Sequence, residues 1–216
     1  MRFRLFLILF GAALVALTFT FPLWEPLLPT EAAASEQILP GLTDDELEQF
    51  AALLPEQRSA YLAIAREDPD DAVAMIRSAL APGIPAPEDM RDLPALNGPI
   101  IAATGEFDRL DAVRWGQGTV TIYQQVDNSR VMRFEEFSVA NGPGLRVALS
   151  ANAAPETVED MQMNNLDLDL GPIIGTFGNQ HYNIPAEVDL RLYRSVVIYS
   201  PTLEMIYAVA PLTIRL

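Results

Sequence analysis

The sequence predicts a mainly β C-terminal domain, an antiparallel β-sandwich or barrel, preceded by a short α-helical segment and an N-terminal transmembrane helix. Three observations carry this reading. An uncharged run of 20 residues, Leu5 to Trp24, follows Arg2 and Arg4. Apolar residues then recur at three-to-four spacing between residues 43 and 81. Beyond residue 99 the spacing drops to two, with turn residues between short runs. The chain has 216 residues, 50% hydrophobic and 20% charged, which is enough to bury a core without disulfides.

The run Leu5–Trp24 has the length needed to cross a hydrocarbon core of about 30 Å as a helix. It is apolar all round, unlike an amphipathic surface helix. A cleaved signal peptide would want a shorter apolar core with a small-residue site close behind. The candidate site, Ala32-Ala33-Ala34, lies well downstream, past Pro22, Pro26 and Pro29. Residues 1–24 therefore read as a signal anchor, with secretion after cleavage as the alternative. The two arginines keep the N-terminus cytoplasmic, Trp24 suits the far interface, and the bulk of the chain is expected outside the cytoplasm.

Residues 25–42, rich in proline and alanine, read as a flexible tether. Residues 43–81 read as three short helices forming a spacer. Thr43-Asp44-Asp45-Glu46 is a capping-box signature ahead of Leu47, Phe50, Leu53 and Leu54. Pro55 suits the first turn of a second helix carrying Tyr61, Leu62, Ile64 and Ala65. Asp68-Pro69 opens a third, through Val73, Ile76 and Leu80. Residues 82–99 hold five prolines and two glycines and read as a semi-rigid linker.

Residues 100–216 read as the β-domain. Thr119–Tyr123 alternates, Asp127-Asn128-Ser129 forms a hairpin tip, and Val131–Phe134 returns. Further strands are expected at Leu145–Ser150, Leu166–Leu170, Ile173–Thr176, His181–Ile184, Val196–Tyr199 and Met205–Val209. Phe134-Glu135-Glu136-Phe137 reads as the start of a bend. In a regular strand its two glutamates would face opposite ways and could not act as a paired acid and base.

Composition excludes several chemistries. There is no cysteine, so no disulfide, thiol nucleophile or Cys-ligated metal. There is no lysine, so no P-loop lysine and no Schiff base. A single histidine forbids multi-His metal sites. The net charge is −15, and every acidic residue lies at or beyond Glu25. Such a field repels phosphate backbones, so nucleic acid is not an expected partner. A membrane, through the N-terminal helix, and a protein or cell-surface partner are.

Six strings stand in order along the β-domain. They are Gly105-Glu106-Phe107, Gly118-Thr119-Val120-Thr121-Ile122, residues 137–150 from Phe137 to Ser150, Leu170-Gly171-Pro172-Ile173-Ile174-Gly175, residues 178–185 from Gly178 to Pro185, and residues 193–200 from Tyr193 to Ser200. Together they resemble the DM-thirteen domain, described as an electron-transfer domain, over about residues 100–212. The resemblance implies a redox role resting on a characteristic cysteine after the Val-Val-Ile strand. In this chain the resemblance puts that position at Ser200, whose hydroxyl neither cycles as a thiol nor serves as a soft metal ligand. The strings themselves are mostly turn and strand chemistry. Asn141-Gly142-Pro143-Gly144 suits a turn, and Tyr182 and Ile184 share one strand face.

Two constellations remain. His181 is the only imidazole, and a non-covalent haem would use it with Met132, Met161, Met163 or Met205; the other reading is a half-buried histidine bonded to a loop. Asn164, Asn165, Asp167 and Asp169 offer oxygen ligands for calcium, with both aspartates on one strand face. The simpler reading is an acidic solvent face over a leucine core face. No G-x-S-x-G elbow or other catalytic constellation is present. The sequence thus favours a binding or interaction module, with an electron-transfer module at His181 and a calcium-dependent adhesion-like domain as alternatives.

Overall fold

The computed structural model describes residues 38–162 and 165–215. The anchor Leu5–Trp24 and the candidate cleavage site Ala32–Ala34 lie outside the described residues, as do Met163 and Asn164. Among the described residues no helix is long and apolar enough to cross a membrane.

The three helices form as their caps dictate. Helix α1 (Asp44–Ala51) starts at Thr43, whose hydroxyl accepts from Glu46 N at 3.3 Å while Glu46 Oε2 accepts from Thr43 N at 2.7 Å. Helix α2 (Pro55–Glu67) begins with proline at its first position, and helix α3 (Pro69–Leu80) with Asp68 accepting from Asp70 N and Asp71 N. Arg77 of α3 donates to Glu46 Oε1 at 2.9 Å and to the Gly41 carbonyl, tying α3 to the start of α1. The inward faces supply Phe50, Tyr61, Ala65, Val73, Met75 and Ile76. These residues join one continuous hydrophobic core with the β-domain.

Eight strands form one antiparallel sheet in the order β5-β4-β7-β8-β1-β2-β3-β6. They are β1 (Ile100–Glu106), β2 (Gly116–Gln124), β3 (Arg130–Val139), β4 (Arg146–Ser150), β5 (Asp167–Pro172), β6 (Gln180–Ile184), β7 (Ser195–Ser200) and β8 (Met205–Ile214). End strands β5 and β6 meet, so the sheet nearly closes into a barrel. The β1–β8 seam is short, with Ala103, Thr104 and Gly105 opposite Ile214, Thr213 and Leu212. Inside, Phe107, Phe134 and Phe137 pack with ring centroids 5.0 to 5.2 Å apart, and Tyr182 lies 5.4 Å from Phe134.

Two local expectations need correction, and strand β1 is not among the strands expected. Ile173–Thr176 is a loop instead of a strand, because Ile174 and Gly175 bond to the side chains of Gln180 and Tyr182 while the flanking groups bond to backbone on separate segments, at Leu145, Ile84 and Val139. Strand β1 has no alternating signature, since Ala102 and Ala103 are both buried across a bulge and Ile100 and Ile101 are both exposed. Glu135 and Glu136 do not take opposite environments: both are exposed. Glu136 has φ +50° opposite Gly118 at φ +103°, and this bulge lets Phe134 and Phe137 both reach the core although three residues apart.

Two segments cover the outside of the barrel. Helix α4 (Val158–Met161) places Met161 on Ala148, Val197, Tyr199, Ile206 and Val209. Its cover explains why every residue of β7 is buried. Residues 83–92 form a strap along the opposite wall. Ile84 O accepts from Thr176 N at 2.7 Å, and Ala86 N donates to Phe177 O at 2.8 Å. Further on, the guanidinium of Arg133, 2% exposed, donates to the carbonyls of Met90 (2.6 Å), Arg91 and Asp92 (3.4 Å).

Candidate functional site

Ser200 ends β7 and is 0% exposed. Its hydroxyl donates to Pro143 O at 2.6 Å and accepts from Leu203 N at 3.3 Å. The bond joins the Asn141–Gly144 turn to the turn between β7 and β8. Gly142 in that turn lies flat on Tyr207, where a Cβ would come within 2.4 Å of the ring. Ser200 is thus fully buried with its hydroxyl bonded on both sides, and it works as a structural hydrogen-bonding group.

His181 lies on β6 directly opposite Arg133 of β3. It is half-buried, and its Nδ1 is buried with no hydrogen-bond partner. Burial holds its pKa below the usual histidine value, and the positive charge of Arg133 adds to this, while Asp89 on the strap works the other way. The methionines do not join it. Met132 sits opposite Tyr182, one residue out of phase with the His181–Arg133 pair, and faces the core. Met161, the last residue of α4, packs on the other wall, and Met205 sits at the start of β8 opposite Ser200. Met163 is outside the described residues. Among the described residues none of Met132, Met161 and Met205 shares the face of His181, and the guanidinium of Arg133 beside it does not favour a haem iron or another metal cation there.

Asp167 and Asp169 project from β5 on the side away from Leu168 and Leu170, which pack on the core. Asp169 Oδ2 binds Arg146, at 2.8 Å from Nε and 2.6 Å from Nη2, and Asp169 Oδ1 accepts from Gly171 N at 2.9 Å. The aspartate pair adjoins Tyr199 and raises its phenol pKa, secondary to burial. Among the described residues no three His, Asp or Glu side chains gather as metal ligands. Asn165 has φ +52°, and Asn164 is outside the described residues.

The Gly178–Pro185 string builds a buried network that sequence reasoning did not assign. Gln180 is fully buried. Its Oε1 accepts from Ile174 N (3.2 Å), Gly175 N (3.1 Å) and Tyr182 Oη (3.0 Å), and its Nε2 donates to Gly175 O at 2.9 Å. Asn179 Oδ1 accepts from Glu136 N at 3.0 Å and so caps the bulge. The signal was available: Gln180 shares the inward phase of Tyr182 and Ile184, where a polar side chain must find partners.

A cleft of about 320 Å³ opens where the helices meet the barrel. Gln57 and Tyr61 of α2 face Trp115, Ser138, Asn141 and Phe177 across it. Burial pushes the Tyr61 phenol up to about 12, aided by the charge of Asp111. The walls of the cleft come from five separated stretches of chain, so no spacing in the sequence marks it.

Comparison with known proteins gives three results. A family model described as Electron transfer DM13 matches residues 106–212. None of the curated proteins matches the chain. Among solved structures, a mutant of Candida albicans superoxide dismutase 5 is similar at a TM-score of 0.37 and 13% identity, covering 53% of this chain and 92% of that one.

Proposed function

Because residues 106–212 belong to the Electron transfer DM13 family, we propose that this chain is a membrane-anchored, extracytoplasmic family member that acts as a binding module for a protein or cell-surface partner. The observation that carries the reading is the closure at Ser200. The resemblance implies a redox role resting on a cysteine at that position, and here a fully buried hydroxyl spends both its hydrogen bonds on neighbouring turns. The anchor follows from Arg2, Arg4 and the apolar run Leu5–Trp24, and the orientation from the two arginines. The acidic charge argues against nucleic acid and favours a neutral or basic partner.

The test is a visible spectrum and metal analysis of the full chain, produced in a host supplied with haem. The expected result is a colourless, metal-free, folded protein. A stoichiometric Soret band that disappears in His181→Ala would replace this reading with electron transfer through a non-covalent haem. The unpartnered Nδ1 of His181 is the one observation on that side.

A further inference from the structure

The cleft between the helices and the barrel has a chemistry of its own. Its three large walls are aromatic: Tyr61, Trp115 and Phe177. No charged residue lines it, in a chain whose net charge is −15. Between the rings stand neutral polar groups with spare hydrogen-bonding capacity. Gln57 uses Oε1 to accept from Leu54 N and leaves its Nε2 donors unspent. Asn141 uses Nδ2 to donate to Ala81 O and leaves its Oδ1 unspent. The Ser138 hydroxyl, the Tyr61 hydroxyl and the Trp115 indole N–H take no hydrogen bond among the described residues, and none is sealed off from solvent. The volume, about 320 Å³, lies at the small end of the roughly 300–1,000 Å³ range of small-molecule pockets. It suits one ring with substituents, not an extended chain.

We propose that this cleft binds a single neutral sugar ring, free or at the end of a glycan. A pyranose offers an apolar C–H face to an aromatic wall and several hydroxyls, each able to donate and accept. That matches a site holding unspent donors and acceptors side by side. A phenol has one hydroxyl and would leave most of these groups unpaired, which is costly. A sugar acid or sugar phosphate would find no cation in the walls. The helices supply Gln57 and Tyr61, so the site needs both the helical layer and the DM13 domain. The inference rests on the binding-module reading and names its ligand class.

The experiment uses the full chain with Trp24→Phe, so that Trp115 is its one remaining tryptophan. Its emission is titrated with methyl β-D-glucopyranoside, methyl β-D-galactopyranoside, methyl α-D-mannopyranoside and N-acetylglucosamine. The expected result is a saturable change with at least one of them, half-complete at about millimolar concentration. Gln57→Glu, which keeps the cap oxygen but removes the amide donor, and Ser138→Ala should each weaken it by about threefold to tenfold. Circular dichroism verifies that both variants fold. No saturable response to any of the four, or one that neither variant changes, overturns the proposal. So does a response to p-cresol without one to the glycosides. Any of these failures leaves a colourless protein colourless, so the binding-module reading stands or falls separately on its own spectrum.

Discussion

The hydroxyl of Tyr182 and the side chain of Gln180, two residues apart on one face of β6, jointly hold the middle of the loop Ile173–Thr176. Ile174 N is shared between Gln180 Oε1 at 3.2 Å and Tyr182 Oη at 3.1 Å, and Gly175 is bonded at both its N–H and its carbonyl by Gln180. The middle of this loop is therefore satisfied by two side chains, while Ile173 N bonds to Leu145 O and Thr176 bonds through its backbone to Ile84 and Val139.

Gln180→Leu removes that satisfaction while keeping the bulk. It should cost about 2–4 kcal/mol, since several buried backbone groups lose their partner together. Tyr182→Phe leaves Gln180 in place and should cost about 1 kcal/mol. Urea denaturation of both variants gives the comparison, and equal small losses would show that water replaces the amide.

Ser200→Ala should cost about 1–2 kcal/mol, because Pro143 O and Leu203 N lose a buried partner. Ser200→Cys should fold and contain a single thiol. That thiol should react with an aromatic disulfide reagent only when the protein is unfolded, as the site is fully buried. Rapid labelling of the native variant would show that the position is open.

Acid should weaken the fold through His181. Burial and Arg133 hold its folded pKa below the ordinary value of 6.5, so the unfolded chain takes up the proton first. Stability is then fully present above about pH 6.5 and falls as pH drops through the window between the two values. Melting temperature measured between pH 7.5 and 5.5 should decline in the native sequence and decline less in His181→Asn.

The strap should depend on Arg133. Arg133→Met fills the same space but releases the carbonyls of Met90, Arg91 and Asp92. Trypsin cleavage after Arg91 should accelerate well before the barrel melts. Unchanged cleavage would place the restraint at Ile84–Ala86 alone, where the backbone pairs with Thr176 and Phe177.

The helices and most strands were legible because their signals are local. Thr43, Pro55 and Asp68-Pro69 mark helix starts within a few residues, and Val196–Tyr199 or His181–Ile184 carry their strand character in their own composition. Strand β1 was not legible, because a bulge at Ile101–Ala103 cancels its alternation. The Ile173–Thr176 run looked like a strand because β-branched and apolar residues make both strands and buried loops. The family strings were visible, but the work of Gln180 was not, since its partners lie on a loop whose path the sequence does not state. The cleft was the least legible feature. Gln57, Trp115, Ser138 and Phe177 have ordinary roles in their own segments and become a site only after the helical layer docks.

The short seam between β1 and β8 fixes the order of events in making this molecule. Its two strands are more than a hundred residues apart in sequence, and it offers only three residue pairs in return. Closing so long a loop is slow, and no shorter-range contact substitutes for it. The hairpin β2–β3 can form early, but the barrel cannot close until β8 meets β1. Any chain still lacking β8 therefore holds an open sheet, with one edge of β1 and one edge of β7 left without a ladder partner.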